Sequence, residues 1–427
     1  MRVKSDNLVK HAGIMLIATA LASIGQMLFH IFMGRTLGPA NFGVVISLLS
    51  ISFIVSLPVT AIQTVIAKYV SQFKVNHAEK KIVSLFVHSL RKVMIYGLLG
   101  LAIFILASGY LGLFLRIPTR TPVIITGVAL FLLLVLPVAQ GTLQGLQRFG
   151  YLATSISLGG VIRFVSALFL VYAGMGINGA MGGVVLGAFA ASLPAFLPLK
   201  PLFRKQLSAH DGLDSVDVYG YLWPVFLALL CFAILTNVDM ILVKHFFEPL
   251  QAGYYSILSL VGRGFVSITI AVSLAMFPRV SELHEQNKDS YSTLKKSLLI
   301  CGLLFGPAIL IFMIFPQFIV GAVFGKKYVV VSPLLRMFSI AVMPLALTNV
   351  LINYQLARRN VNFVYYLIPG AVFYIAMLVL FHSSLLQVVV IVGITGSLVF
   401  VLNMGFILLQ NRRQTRTDVV GIDWVRR

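Results

Sequence analysis

Apolar runs of about twenty residues follow one another along this chain with little between them, and this constrains the fold more than any motif does. A bilayer core is crossed by roughly 20 apolar residues of helix. The sequence supplies twelve such runs, at 12–33, 41–67, 93–115 (with an amphipathic lead that allows a start as early as Ile82), 122–147, 151–173, 177–199, 219–243, 251–278, 297–324, 333–357, 362–381 and 385–410. In lipid the backbone must close its own hydrogen bonds, so only helices and closed barrels can span. The ~10-residue alternating strands of a barrel are absent, so the chain reads as an all-α polytopic membrane protein of about 12 transmembrane helices. Composition agrees. Hydrophobic residues make up 59% and charged residues 11%, against roughly 45–50% and roughly 25% in soluble domains. The mean hydropathy is +0.98.

The net charge of +21 comes from 33 Lys and Arg against 12 Asp and Glu. In a soluble chain this would suggest nucleic acid; in a membrane chain the side of the bilayer matters first. With the N-terminus placed in the cytoplasm, 24 of the 33 basic residues fall in inner segments. Seven fall outside, namely Arg35, Arg116, Arg120, Lys244, Lys326, Lys327 and Arg336, and Arg163 and Arg263 lie within spans. The expectation is a multi-pass protein of the cytoplasmic membrane with both termini inside, its basic loops facing anionic lipid and no nucleic-acid partner. Lys4 and Lys10 before an apolar run resemble a signal peptide, but cleavage after Ala20, Leu21 and Ala22 would destroy a span, so the segment reads as an uncleaved first helix.

The two halves match at an offset of 210 residues. Pro39, Gly43, Leu48, Ala61, Val70 and Ser71 align with Pro249, Gly253, Leu258, Ala271, Val280 and Ser281, and farther on Arg116 aligns with Lys326 and Arg148 with Arg358. Six helices per half put both halves in the same orientation, with a substrate site expected between them. The expected organisation is a six-helix bundle at 1–199, a cytoplasmic linker at 200–218, a second six-helix bundle at 219–411 and a basic tail at 412–427. No stretch is long enough for a soluble catalytic domain, so no enzyme activity is expected. The eight histidines lack ligand spacing, and Asp211, Asp214 and Asp217 read as a solvated turn, so neither metal nor cofactor is expected. Cys231 and Cys301 lie in apolar runs and imply no disulfide framework.

The chemistry is carried by polar residues inside the spans. An arginine near the bilayer centre costs about 2.5–3.5 kcal/mol on insertion scales, so it normally faces a wet cavity. Arg163 sits in a stripe with Ser155, Gly159 and Ser166, and Arg263 in one with Ser256, Ser259 and Ser267. On the first span Thr19, Ser23, Gln26 and His30 share a face, as do Ser52, Ser56, Thr60 and Gln63 on the second. Small hydroxyl residues also serve as packing contacts between membrane helices, so the Ser and Thr positions admit both readings. Asp239, with Asn237 beside it, is the one acid within a span. It is either an ion-coupling group or the structural partner of Arg263 or Lys244. The balance leaves the interior cationic, with Arg35 adding charge at the outer end, which favours an anion such as phosphate. Pro58, Pro137, Pro224, Pro307 and Pro344 fall within spans, where they weaken the helix.

Several of these segments resemble a known family. GRTLGPANFG at 34–43, VDMILVKHFF at 238–247, AGYYS at 252–256, PRVSEL at 278–283 and VFGKKY at 323–328 are similar to signatures of the polysaccharide (O-antigen-type) flippases of the multidrug/oligosaccharidyl-lipid/polysaccharide exporter superfamily. The resemblance implies two parallel six-helix bundles in a V-shaped exporter fold. It implies alternating-access translocation of an undecaprenyl-diphosphate-linked oligosaccharide from the cytoplasmic to the outer leaflet. Its partners would be that lipid-linked substrate, membrane lipids and other polysaccharide-assembly proteins. Arg163, Arg263, Arg35, Gln26, His30, Gln63 and Asn237 are then the substrate-binding candidates and Asp239 the ion-coupling candidate. A cation-coupled drug or small-molecule exporter of the same superfamily is the alternative.

Overall fold

The computed structural model describes residues 5–205, 218–286 and 288–425. Most of the expected linker, with Asp211, Asp214 and Asp217, lies outside the described residues, as do the basic side chains from Arg412 onward. Among the described residues every regular element is helical. The principal helices are α1 (Ser5–Val75), α2 (Glu79–Leu106), α3 (Ser108–Phe114), α4 (Thr121–Gly145), α5 (Phe149–Leu170) and α6 (Gly176–Phe196), followed by the short α7 (Lys200–Lys205). Beyond the linker come α8 (Val218–Phe246), α9 (Pro249–Glu285), α10 (Tyr291–Ile314), α11 (Pro316–Phe324), α12 (Ser332–Ala341), α13 (Met343–Ala357), α14 (Val364–Leu380) and α15 (Leu385–Val425).

Nine helical stretches among the described residues are long and apolar enough to cross a membrane, and Val364–Leu380 is a shorter apolar helix. Two of the nine contain a break at a glycine with positive φ. In α1 it is Gly38, at φ 73° and ψ 170°, a region essentially open only to glycine. Pro39 follows, disfavouring the helical region for the residue before it and then starting the second limb with a preset φ. Between α5 and α6 the break comes at Gly174, with φ 85°. With both breaks and the shorter helix, the described residues divide into twelve membrane-length segments.

Some boundaries differ from the hydropathy reading, for local reasons. The third span starts at Glu79, three residues before the amphipathic lead expected from Ile82. Ile82, Phe86 and Leu90 are buried there, at helical spacing, in a core with Ile66, Val70, Leu136, Leu143 and Leu152. The single run 297–324 is interrupted at Phe315 (φ −119°, ψ 38°), which Pro316 keeps out of the helical region. The run 333–357 breaks at Val342, two residues before Pro344.

The breaks recur along the chain. Helix restarts at Pro39 and again at Pro249, 210 residues later, and the second limb of α1 and α9 end at Val75 and Glu285, again 210 apart. The α4–α5 turn holds Gln147 and the α13–α14 turn Arg359, both with positive φ. The turns are tied differently. Lys74 Nζ donates to Leu146 O at 3.0 Å and Arg148 Nη1 to Pro198 O at 2.8 Å, whereas Arg359 pairs with Glu285 at 2.9 Å.

The chain separates into two compact units, residues 1–226 with 247–253, and residues 227–246 with 254–427. In the first, α5 pairs with α6, and α1 packs on α4 and α5. In the second, α15 packs against α12, α13 and α14, and α10 against α12 and α13. Large apolar side chains such as Ile95, Leu99 and Leu106 on α2 are exposed, as lipid-facing positions are.

Gly38→Ala forces a side chain into a backbone region that costs about 1–3 kcal/mol. Its melting temperature in detergent is expected to fall. Gly100→Ala, where an added Cβ meets nothing within 4 Å, leaves it unchanged or raises it.

Candidate substrate cavity

The first unit contains a cavity of about 310 Å³ walled by α1, α4, α5 and α6. Small residues create it by letting backbones approach. A Cβ on Gly160 would lie 2.6 Å from Ala22 Cα, and one on Gly187 would lie 2.6 Å from Arg163 Cβ and 2.7 Å from Gly159 O. Glycine is therefore required at 160 and 187 for α5 to seat between α1 and α6. On α4, Pro137 lies inside the helix beside the lining residues Leu133, Leu136 and Gln140. A proline there cannot bond to the carbonyl of residue 133, which weakens the ladder at the cavity wall.

The lining is largely apolar, with Gln26, Ser52, Ser56, Gln140, Ser155 and Arg163 as its polar members. Arg163 is the one ionisable residue among the described lining. Its guanidinium carbon lies 4.4 Å from the Phe29 ring centroid, within cation–π range. Its Nε and Nη2 are buried without a hydrogen-bond partner. An unsatisfied buried donor costs about 1–3 kcal/mol, more when charged. These N–H groups are therefore primed for an acceptor, and a forked donor pair suits phosphate or carboxylate oxygens. Nearby, Gln140 Nε2 donates to Ser155 Oγ at 3.1 Å, and Ser155 Oγ donates to Ala191 O at 2.7 Å.

The second unit buries an acid, Asp239, together with the cations Lys244 and Arg263. Asp239 is 5% exposed, its Oδ2 accepts from Tyr255 Oη at 2.7 Å, and it feels the positive field of Arg263. Thr236, Asp239, Ser259, Gly262 and Tyr374 line a space of about 10 Å³, close to the volume that admits one water. Asp239 Oδ1, Ser259 Oγ and Tyr374 Oη are buried there without hydrogen-bond partners. Among the described residues no group of three His, Cys, Asp or Glu could hold a metal ion.

The structure thus brings together some of the sequence candidates and separates others. Gln26 and Arg163 share the first cavity with Ser52, Ser56 and Ser155, while Arg263 lies with Asp239 in the second unit. Gln63 is outside the cavity lining and donates to Gln144 Oε1 at 3.3 Å. His30 is buried edge-on to Phe29. Asn237 bonds locally, to Ala233 O and Thr236 Oγ1, both at 3.0 Å. Arg35 is exposed, as are Thr19 and Ser23. Sequence reasoning missed Gln140, Gln144 and Tyr255. The 4-residue spacing of Gln140 and Gln144 was the available signal for the first two, and AGYYS contains the third.

A family model described as polysaccharide biosynthesis protein matches residues 32–333. The chain belongs to that family. An uncharacterized membrane protein of Methanocaldococcus jannaschii is 24% identical over 302 residues, covering 66% of this chain and 71% of the relative. Among solved structures, a MATE family multidrug resistance transporter of the MOP superfamily in an inward-facing conformation aligns with a TM-score of 0.78 at 13% identity, over 93% of this chain and 96% of its own. The lipid II flippase MurJ aligns at 0.68 and 14%, over 93% and 87%. A eukaryotic MATE transporter aligns at 0.68 and 16%, over 95% and 96%. This polysaccharide biosynthesis family member therefore has the fold of MOP-superfamily transporters and flippases.

Gly187→Val should separate α5 from α6 and displace Arg163. We expect a lower melting temperature than wild type, by more than any effect of Gly150→Ala, where an added Cβ meets nothing.

Proposed function

We propose that this family member is a flippase that carries an undecaprenyl-diphosphate-linked oligosaccharide, a polysaccharide repeat unit, across the cytoplasmic membrane by alternating access, with both termini cytoplasmic. The observation that carries the reading is Arg163, a buried cation with two unpartnered N–H groups in a cavity whose described lining contains no acid. Such a site attracts an anion and repels the cationic compounds that an acid-lined exporter cavity would take. A volume of about 310 Å³ is at the small end of the roughly 300–1,000 Å³ typical of ligand pockets. It suits the diphosphate and its immediate neighbourhood, with the lipid tail remaining in the bilayer.

Arg163 and Gln26 hold the diphosphate in this reading, with Arg35 as a headgroup contact at the outer surface and His30 and Gln63 in supporting roles, while Arg263 and Asn237 belong with Asp239 in the second unit. Binding shifts the conformational equilibrium by its differential affinity for the two access states. Asp239, with its water-sized polar space and unpartnered Oδ1, is the coupling candidate. That buried acid also supports the second reading, a cation-coupled exporter of drugs or small molecules.

In proteoliposomes, Arg163→Ala should lower translocation of a polyprenyl-diphosphate-linked glycan about tenfold or more, since a hydrogen bond to a charged group is worth about 1.5–3 kcal/mol. Arg163→Lys should restore part of it, keeping the charge but losing the fork. Wild-type translocation in Arg163→Ala would overturn the assignment. Asp239→Asn should abolish the response of transport to an imposed proton or sodium gradient; an unchanged response removes Asp239 from coupling.

A further inference from the structure

Beyond the cavity, two helical faces carry neutral hydrogen-bonding groups onward in the same direction. On α4, Gln144 lies one turn, about 6 Å, past the cavity residue Gln140. On α1, Gln63 lies two turns past the cavity residue Ser56, on the same face. The two faces meet where Gln63 Nε2 donates to Gln144 Oε1 at 3.3 Å. The helices stay close there because a Cβ on Gly141 would lie 2.6 Å from Gln63 O. Gln144 is exposed and Gln63 half-buried, so the pair is accessible. The next cation on the Gln63 face of α1, Lys74, donates to Leu146 O and Gln147 Oε1 at 3.0 and 3.2 Å, and Lys68 lies on another face.

We propose that Gln140, Gln63 and Gln144 form a sugar-binding ladder leading from the Arg163 cavity, and that it selects uncharged, polyhydroxyl sugars next to the diphosphate. This rests on reading the Arg163 cavity as the diphosphate site. A carboxamide offers two donors and an acceptor with two lone pairs, more than the single bond each member of the Gln63–Gln144 pair uses with the other. That mixture matches adjacent hydroxyls, each both donor and acceptor. None of the three glutamines carries a charge and Arg163 is taken by the diphosphate, so a sugar carboxylate lodged among them has no ion partner in the ladder itself, and burying it unpaired is costly. The ladder thus discriminates by charge as well as shape, and Arg163 anchors the end from which the sugars extend.

The test is a binding titration of the full chain in nanodiscs with three probes: a polyprenyl diphosphate without sugar, the same lipid carrying a neutral hexose, and one carrying a hexuronic acid. Wild type should bind the hexose probe most tightly and the uronic acid probe no better than the sugar-free one. Gln144→Met, which keeps side-chain volume and lies outside the cavity lining, should weaken the hexose probe about tenfold while leaving the sugar-free probe unchanged, and that unchanged binding also reports an intact fold; Gln140→Met should weaken the hexose probe as well. Arg163→Ala should weaken all three. If both glutamine variants bind the hexose probe like wild type, or wild type prefers the uronic acid, the ladder is overturned while the diphosphate reading stands. Equal loss for all probes with a lowered melting temperature makes Gln63–Gln144 a helix-packing contact and also overturns it. If Arg163→Ala changes nothing, or wild type binds no probe, the diphosphate reading itself falls and the ladder with it.

Discussion

In a bilayer, helices gain little by burying apolar surface against each other, because the lipid is equally apolar. What holds them is close backbone approach, and in the first unit that approach is made by glycine and alanine on α5 and α6. Gly160 against Ala22 and Gly187 against Arg163 bring α1, α5 and α6 within backbone contact. The same contacts fix where Arg163 stands, with its guanidinium on the Phe29 ring. Stability and the cationic cavity therefore share one seam, and the cavity depends on residues that carry no chemistry of their own.

The two units treat buried charge differently. In the first, the guanidinium of Arg163 faces a cavity with carboxamides and hydroxyls and no described acid. In the second, Asp239 is satisfied on one oxygen by Tyr255 and lies in the field of Arg263. The helix restarts at Pro39 and Pro249 recur 210 residues apart, yet the two units differ in what their helices enclose. Under the proposed function this is a division of labour, with recognition of an anionic headgroup in one unit and a protonatable or cation-binding group in the other.

Much of the fold was legible in the sequence because the relevant signals are local. Apolar run length marks a span whatever its neighbours, and Gly38-Pro39 marks a break because each residue restricts its own backbone. The misplaced edges have the same kind of cause. The start of α2 is amphipathic rather than uniformly apolar, so the apolar run begins only at 93 and the spacing of Ile82, Phe86 and Leu90, which packing buries, is what extends it. The site was legible only in part. Large polar groups in a span announce themselves, so Arg163, Gln26 and Asp239 could be singled out. Periodicity gives a face without naming its partner, and so Thr19 and Ser23 share the stripe of Gln26 yet are exposed.

The sequence by itself determined that this chain is a bundle of membrane helices with a cationic balance inside, because the cost of polar groups in lipid is set residue by residue. Tertiary structure alone decided which polar residues act together. Gln140 joins Arg163 because α4 and α5 flank one cavity. Arg263 is set beside Asp239 by the packing of α8 and α9, and Gln63 meets Gln144 across 81 positions of sequence. These relations depend on how closely two helices approach, which is fixed by small residues on facing surfaces, and no single segment contains that information.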